Sequence, residues 1–283
     1  MYWKSLFLIL EFFFEVTNIA QRVLYGIKSV LGFNNHIKVN LKIKNAKKGD
    51  TLFIVGNGPS IKEQSIESLS KENSIFVNMG FKHPLYKHIS PRYHVIVDPK
   101  LANGEWDLGI LDEIVSLNPE VTLVLNGKWY HLAKFKPYIN NPKFNIVWVR
   151  VNLFFTKFHT YRTLDISKIT YGMGVLGAAI ALASHLGAEQ IILLGAESNA
   201  FCYEFEDKES HFYGLNQDNN NMSSQQICKS LFFNYLYLLG LLRLSERSKG
   251  INIKNCTKGG ILKMFERGRF EDELTCRGER DYD

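Results

Sequence analysis

From residue 51 onward the chain alternates short apolar runs with segments of helical spacing, and this alternation is the strongest constraint on its fold. The runs cover residues 52–55, 74–79, 93–98, 121–125, 144–149, 190–195 and 250–255. Each is rich in β-branched or aromatic residues and bounded by turn formers, as expected of a strand buried on both faces. Helices are predicted over 108–117, 172–186 and 223–246. Strands alternating with helices specify an α/β domain with a mostly parallel sheet, covered on both faces. A single Rossmann-like domain is expected over residues 51–265. Ligands of such sheets bind beyond the carboxyl ends of the strands, and Asn57, Asn78, Asp98 and Glu197 all lie at or just past predicted strand ends.

The first run feeds directly into Gly56, Asn57, Gly58, Pro59 and Ser60. Two glycines let main-chain N–H groups approach a ligand closely. Pro59 lacks an N–H and suits the first turn of a helix, which Ser60, Ile61, Ile66 and Leu69 would continue. Strand, glycine turn and helix N-terminus form an anion site when the free N–H groups face outward. A plain βα turn has the same sequence, and the turn alone does not separate the two. Asn78 and Asp98 are read in two ways also: as caps of the structure after their strands, or as polar groups lining a nucleotide or sugar-nucleotide cleft.

Residues 195–214 leave a predicted buried strand at that same edge. They are too polar for a core element, yet dense in Tyr, His and carboxylates, and loops held by a rigid sheet are where chemistry usually sits. His211 is the residue here that titrates near neutral pH, which makes it the natural general base. Tyr203 and Tyr213 are candidate donors to a departing phosphate. No Asp-x-Asp pair follows a strand, so no metal ligand set is predicted. Hydrolase, P-loop and zincin motifs are absent from the sequence.

The formal charge is +6. A basic balance suits nucleic acid, anionic lipid or an anionic substrate, but no nucleic-acid-binding signature accompanies it. The four cysteines form no C-x-x-C, so neither a zinc site nor a disulfide framework is indicated. Residues 1–33 are rich in apolar side chains, and the spacing of Lys4, Glu11, Glu15, Asn18, Arg22 and Ser29 puts these polar residues on one narrow stripe of an amphipathic helix. No uninterrupted run reaches the ~20 residues of a spanning helix, and Glu11 and Glu15 interrupt any signal-peptide core. A helix lying in a membrane interface is expected. Packing on the domain, or on another copy in a homo-oligomer, is the alternative. Residues 34–50 form a basic linker that would strengthen contact with anionic lipid. Residues 266–283 form a charged tail, loosely ordered or closing over the cleft.

These motifs resemble the bacterial sialyltransferases of glycosyltransferase family 42, which act on lipooligosaccharide. Fold relatives of that family include the motility accessory factors and hydroxymethylpterin diphosphokinase-like proteins. The resemblance rests on Gly-Asn-Gly-Pro-Ser at 56–60, Asn78, Thr170-Tyr-Gly172 before an Ala-rich helix, Tyr203-Glu-Phe205 and Ser210-His-Phe-Tyr-Gly214. It implies a GT-A-like variant of the Rossmann-like fold and, for the N-terminal helix, the cytoplasmic face of the bacterial inner membrane. It also implies inverting, metal-independent transfer of sialic acid from CMP-sialic acid to a glycan or glycolipid acceptor, with no cofactor beyond the donor. In that scheme His211 is the base and Tyr203 stabilises the leaving phosphate. Gly56, Asn57, Gly58 and Asn78 bind the nucleotide, with Pro59, Ser60, Asp98, Thr170, Gly172 and Glu197 beside them. Asn199, Tyr171, Lys168 and Asp98 depart from the family pattern, which leaves room for another nonulosonic acid. Two other readings remain: a diphosphokinase-like enzyme with Asp98 and Glu197 on Mg²⁺, and a non-catalytic membrane-surface binding protein.

Overall fold

Successive side chains of a strand point to opposite faces, and in β1 (Thr51–Val55) every one is buried. Leu52 and Ile54 join one core, Phe53 and Val55 the other. Each such side chain contributes roughly 1.5–3 kcal/mol on burial. A computed structural model describes residues 2–202, 209–214 and 223–278. Eight further strands follow among these: β2 (Ser74–Val77), β3 (Tyr93–Ile96), β4 (Thr122–Asn126), β5 (Asn145–Leu153), β6 (Ile169–Tyr171), β7 (Gln190–Leu194), β8 (Asn252–Asn255) and β9 (Glu266–Arg267). The longer helices are α1 (Tyr2–Val30), α2 (Gly109–Leu117), α3 (Gly174–Leu186), α4 (Ser224–Arg247) and α5 (Phe270–Gly278).

The sheet runs β6-β5-β4-β3-β2-β1-β7-β8-β9, and every pairing is parallel. The chain therefore starts at β1 in the interior and steps outward to β6. It returns through α3 and resumes on the other flank of β1 at β7. The strand order reverses between β1 and β7, where a Rossmann-like sheet opens its ligand crevice. α3 makes this return over the sheet with Gly177, Ala178, Ala179, Ala181 and Ala183 all buried. Such small side chains let the helix lie close to the strands.

Several local expectations change. The helix predicted after the glycine turn is replaced by two 3₁₀ segments, Pro59–Glu63 and Ile66–Lys71. Ile66 and Leu69, both buried, stand three apart, the repeat of a 3₁₀ rather than an α helix. Residues 34–50 carry a helical turn, Asn35–Lys38, and a 3₁₀ segment, Val39–Ile43. Ile37 is buried, and the Asn40 amide donates to the carbonyls of Trp148 at 2.7 Å and Ile166 at 2.9 Å, so this basic stretch is tied to the domain. Beyond residue 265 the sheet gains β9, and Phe270 at the start of α5 is buried edge-on against Phe53, at 5.9 Å.

The polar stripe of α1 faces the domain. Glu11 is fully buried and accepts from Arg243 Nη2 at 2.6 Å and from the Lys157 N–H at 2.8 Å. Glu15 accepts from Thr156 Oγ1 at 3.1 Å, and 2.8 Å separates it from His159 Nε2. Asn18, also fully buried, donates to the Phe154 carbonyl and accepts from its N–H. Phe14 stacks on Phe154 at 4.5 Å, but most apolar side chains of α1 are left outside. One helix among the described residues, α4, is long and apolar enough by length and composition to cross a membrane. Its Leu236, Leu239, Leu241 and Leu244 are buried.

Candidate active site

The carboxyl ends of β1 and β7 meet through main-chain contacts. The Gly56 N–H donates to the Leu194 carbonyl and the Gly58 N–H to the Gly195 carbonyl, both at 2.8 Å. A Cβ on Gly56 would lie 2.3 Å from the Gly195 oxygen, and one on Gly58 would lie 1.5 Å from Glu197 Oε2. Gly56 is thus required by close approach to the main chain, not by a turn angle, while a side chain at Gly58 would displace the Glu197 carboxylate. Glu197 is buried, and its Oε1 accepts the Ser60 N–H at 2.6 Å. The N-terminal amide that an anion cradle would offer is already occupied by this carboxylate. Ser60 is buried, and Pro59 opens the 3₁₀ segment above it.

The cleft over this junction is lined by Gly56, Asn57, Gly58, Asn78, Glu197 and His211, together with Ser198, Asn199 and Tyr237. Oδ1 of Asn57, Oδ1 of Asn78 and Oε2 of Glu197 are buried without a hydrogen-bond partner. Buried acceptors without partners are costly, and a ligand that brings hydroxyl or amino donors would satisfy them. Asn78 and Ser198 adopt left-handed backbone conformations, with φ of 45° and 54°. Non-glycine residues held there commonly mark functional positions. His94 fixes Asn78 from behind. Its Nε2 lies 2.7 Å from the Asn78 carbonyl, which can only accept, so Nδ1 accepts from the Tyr86 hydroxyl at 2.9 Å.

His211 is anchored by its neighbours. The Phe212 N–H donates to the Asn57 carbonyl at 2.9 Å, and the His211 ring stacks on Tyr213 at 5.0 Å. Burial, followed by the nearby Lys100 ammonium, pushes the imidazole below its ordinary value, opposed by a hydrogen bond to the Asn57 main chain. The ring is accordingly neutral at neutral pH and able to accept a proton. Burial also pushes Tyr213 up to about 12.

The other predicted residues divide. Asp98 caps the short helix Pro99–Asn103, accepting the Lys100 N–H at 3.0 Å. With Gly172 it lines a neighbouring cavity of about 390 Å³ that meets the cleft at Val175. Thr170 is buried and lines a third cavity beside Arg22 and Tyr171. Tyr203 lies outside the described residues. Among those residues no group of three His, Cys, Asp or Glu side chains is placed to hold a metal ion.

Sequence reasoning missed Tyr237, whose hydroxyl lies 3.1 Å from Ser198 Oγ and whose burial pushes it up to about 12. It stands in an amphipathic helix where a tyrosine reads as packing. The signal was its polar tip on the buried face, among Leu236, Leu239 and Leu241.

Among curated proteins none matches the chain. In solved structures the chain is similar to the MAf glycosyltransferase from Magnetospirillum magneticum AMB-1, at 15% identity and a TM-score of 0.48, over 83% of this chain. The chain spans 38% of the length of that structure. A family profile matches residues 28–203, more than half of the chain; the matched segment takes in Gly56, Asn57, Gly58, Asn78 and Glu197 and ends before His211. On that match the chain belongs to the 6-hydroxymethylpterin diphosphokinase MptE-like family.

Proposed function

We propose that the protein is an inverting glycosyltransferase that takes sialic acid or a related nonulosonic acid from its CMP-activated form and passes it to a bacterial surface glycan or glycolipid. One observation carries this reading: the desolvated His211 imidazole shares a cleft with the glycine turn and Asn78. The donor's nucleoside would present hydroxyl and amino groups to Asn57, Asn78 and Glu197, and the acceptor would enter beyond Val175. His211 removes the proton from the acceptor hydroxyl. The acceptor oxygen then bonds to the anomeric carbon from the face opposite the phosphate, and the bond to CMP breaks with its electrons leaving on the phosphate. Tyr203, by the family resemblance, donates to that phosphate; the Tyr237 hydroxyl, in the cleft with His211, is a further donor. No step requires a metal ion.

The test measures CMP release and product formation from CMP-sialic acid, with and without EDTA. Turnover unaffected by EDTA and lost in His211→Ala is expected. Full activity of His211→Ala would sink the role of the base.

The family description favours a second reading, a diphosphokinase-like enzyme using ATP and Mg²⁺. Asp98 and Glu197 would then hold the metal. They line different cavities, and one oxygen of Glu197 is taken by Ser60, so the transferase is the better fit. A thermal-shift panel of CMP, UMP, GDP and ATP, with and without Mg²⁺, separates the two: stabilisation by ATP only with the metal, and none by CMP, would favour the diphosphokinase.

A further inference from the structure

α1 is amphipathic in the reverse of the usual sense. Its polar stripe is buried in the domain, while Leu6, Ile9, Phe12, Phe13, Val16 and Ile19 stand outside, Phe13 with 62% of its surface exposed. The apolar side continues along the same helix through Val23, Leu24, Ile27 and Leu31. It extends onto α4, where Tyr235 stacks on Phe7 at 6.2 Å and Phe232 and Phe233 are exposed. A continuous apolar surface of this kind marks an interaction site.

Charge identifies what covers it. Up to residue 49 the sequence has two carboxylates, Glu11 and Glu15. Both are turned inward, against Arg243 and His159. At the C-terminal end of α1 the exposed charges are cationic: Lys28, and Lys38 with its Nζ 3.5 Å from the Ser29 carbonyl. At the C-terminal end of the face lies a cavity of about 530 Å³, walled by Leu24, Ile27 and Leu31 and holding Lys28, Lys128 and Arg150. No carboxylate lines it. Arg150 Nε is buried without a partner. Gly127 makes room for that side chain, since a Cβ there would lie 3.2 Å from Arg150 Cγ and Cδ. Burial, Arg150 and Lys28 together push Lys128 below its ordinary value, the direction expected where cations crowd without a counter-ion. Three cations gathered beside an exposed apolar face are complementary to one chemistry, a phosphate attached to hydrocarbon.

We propose that this face docks on an anionic lipid bilayer, with a headgroup phosphate held by Lys28, Lys128 and Arg150 and the outer side chains of α1 entering the acyl region. A second copy of the chain fits less well, because the two carboxylates before residue 50, Glu11 and Glu15, are turned inward and offer those cations no counter-ion. The proposal concerns binding alone and stands or falls independently of the transferase reading.

The test is co-sedimentation of the full chain with vesicles of phosphatidylcholine alone and of phosphatidylcholine mixed with phosphatidylglycerol. Binding that requires phosphatidylglycerol and weakens with salt is expected. Lys28→Ala/Lys128→Ala should lower affinity roughly tenfold or more. Phe12→Asp/Phe13→Asp should abolish binding, with the thermal midpoint of the free protein unchanged because both side chains are exposed. Inorganic phosphate at constant ionic strength should displace little protein. Three outcomes overturn the proposal. One is equal binding to both vesicle types. Another is no vesicle binding with stabilisation by inorganic phosphate, which would mean a site for a soluble anion. The third is no vesicle binding with a dimer that Phe12→Asp/Phe13→Asp dissociates.

Discussion

The Ser60 main-chain N–H and the Glu197 carboxylate are bonded at 2.6 Å across 137 residues of sequence. This bond joins the turn after β1 to the turn after β7 and floors the cleft between them. It also fixes the polarity of the cleft. A negative charge already occupies the amide, so the phosphate of a nucleotide would lie nearer His211 and Tyr237 than the glycine turn.

Removing Glu197 therefore tests a structural bond as well as a ligand contact. Glu197→Ala leaves the Ser60 N–H buried without an acceptor and is expected to cost about 1–3 kcal/mol. Glu197→Gln keeps an acceptor oxygen and should cost less. Urea denaturation of the two variants measures the difference. Equal losses would show that the charge, not the hydrogen bond, is what matters.

Acid should spare the proposed reaction further than an ordinary histidine allows. The neutral His211 ring is the reactive form, and burial with Lys100 lowers the pH at which it protonates. The acid limb of kcat/KM is thus expected below pH 6.5, and His211→Ala is expected to lose roughly 10²–10⁴-fold in rate. A limb centred above pH 6.5 would contradict the burial of this ring.

The buried pair at the root of α1 yields a double-mutant prediction. Glu11 is inaccessible, with Arg243 as its ion-pair partner. Arg243→Met strands a buried carboxylate and is expected to destabilise by about 3–5 kcal/mol. Glu11→Leu/Arg243→Leu should recover most of that loss, save the share owed to the Lys157 N–H. Denaturant midpoints of the single and double variants check this. A double variant as unstable as Arg243→Met would mean that packing, not the stranded charge, sets the cost.

Folding stability should fall in mild acid. His94 is fully buried, and burial pushes it down to about 4. The unfolded chain takes up this proton near pH 6.5, whereas the folded chain resists until about pH 4. Stability is therefore lost as pH drops through that window, by up to roughly 3 kcal/mol, and levels off below it. His94→Gln should flatten the pH dependence of the thermal midpoint; an unchanged slope would assign the effect to another group.

The sheet was legible because β1, β2, β3, β4 and β7 are buried on both faces and so read as continuous apolar runs; β6 and β9 are too short to leave such a run. The two ends of the cleft were legible as glycine turns and strand-end asparagines. Contacts set by tertiary geometry were not. Nothing in the local sequence of the turn says that its free amide meets Glu197, and nothing in helix α4 says that Tyr237 faces Ser198. The stripe on α1 was visible as a pattern, but periodicity marks two faces without saying which one is buried. That depends on Arg243, 232 residues away.

The same separation governs the order of events during synthesis. Arg243 emerges 232 residues after Glu11. At about 5–20 residues per second, Glu11 waits on the order of tens of seconds before its ion pair can close. Asn18 and Glu15 can close on Phe154 and Thr156 well before that, but Glu11 has no cationic partner until Arg243 arrives. If the outer face of α1 docks on a bilayer in that interval, the Glu11–Arg243 pair closes on a helix that is already docked.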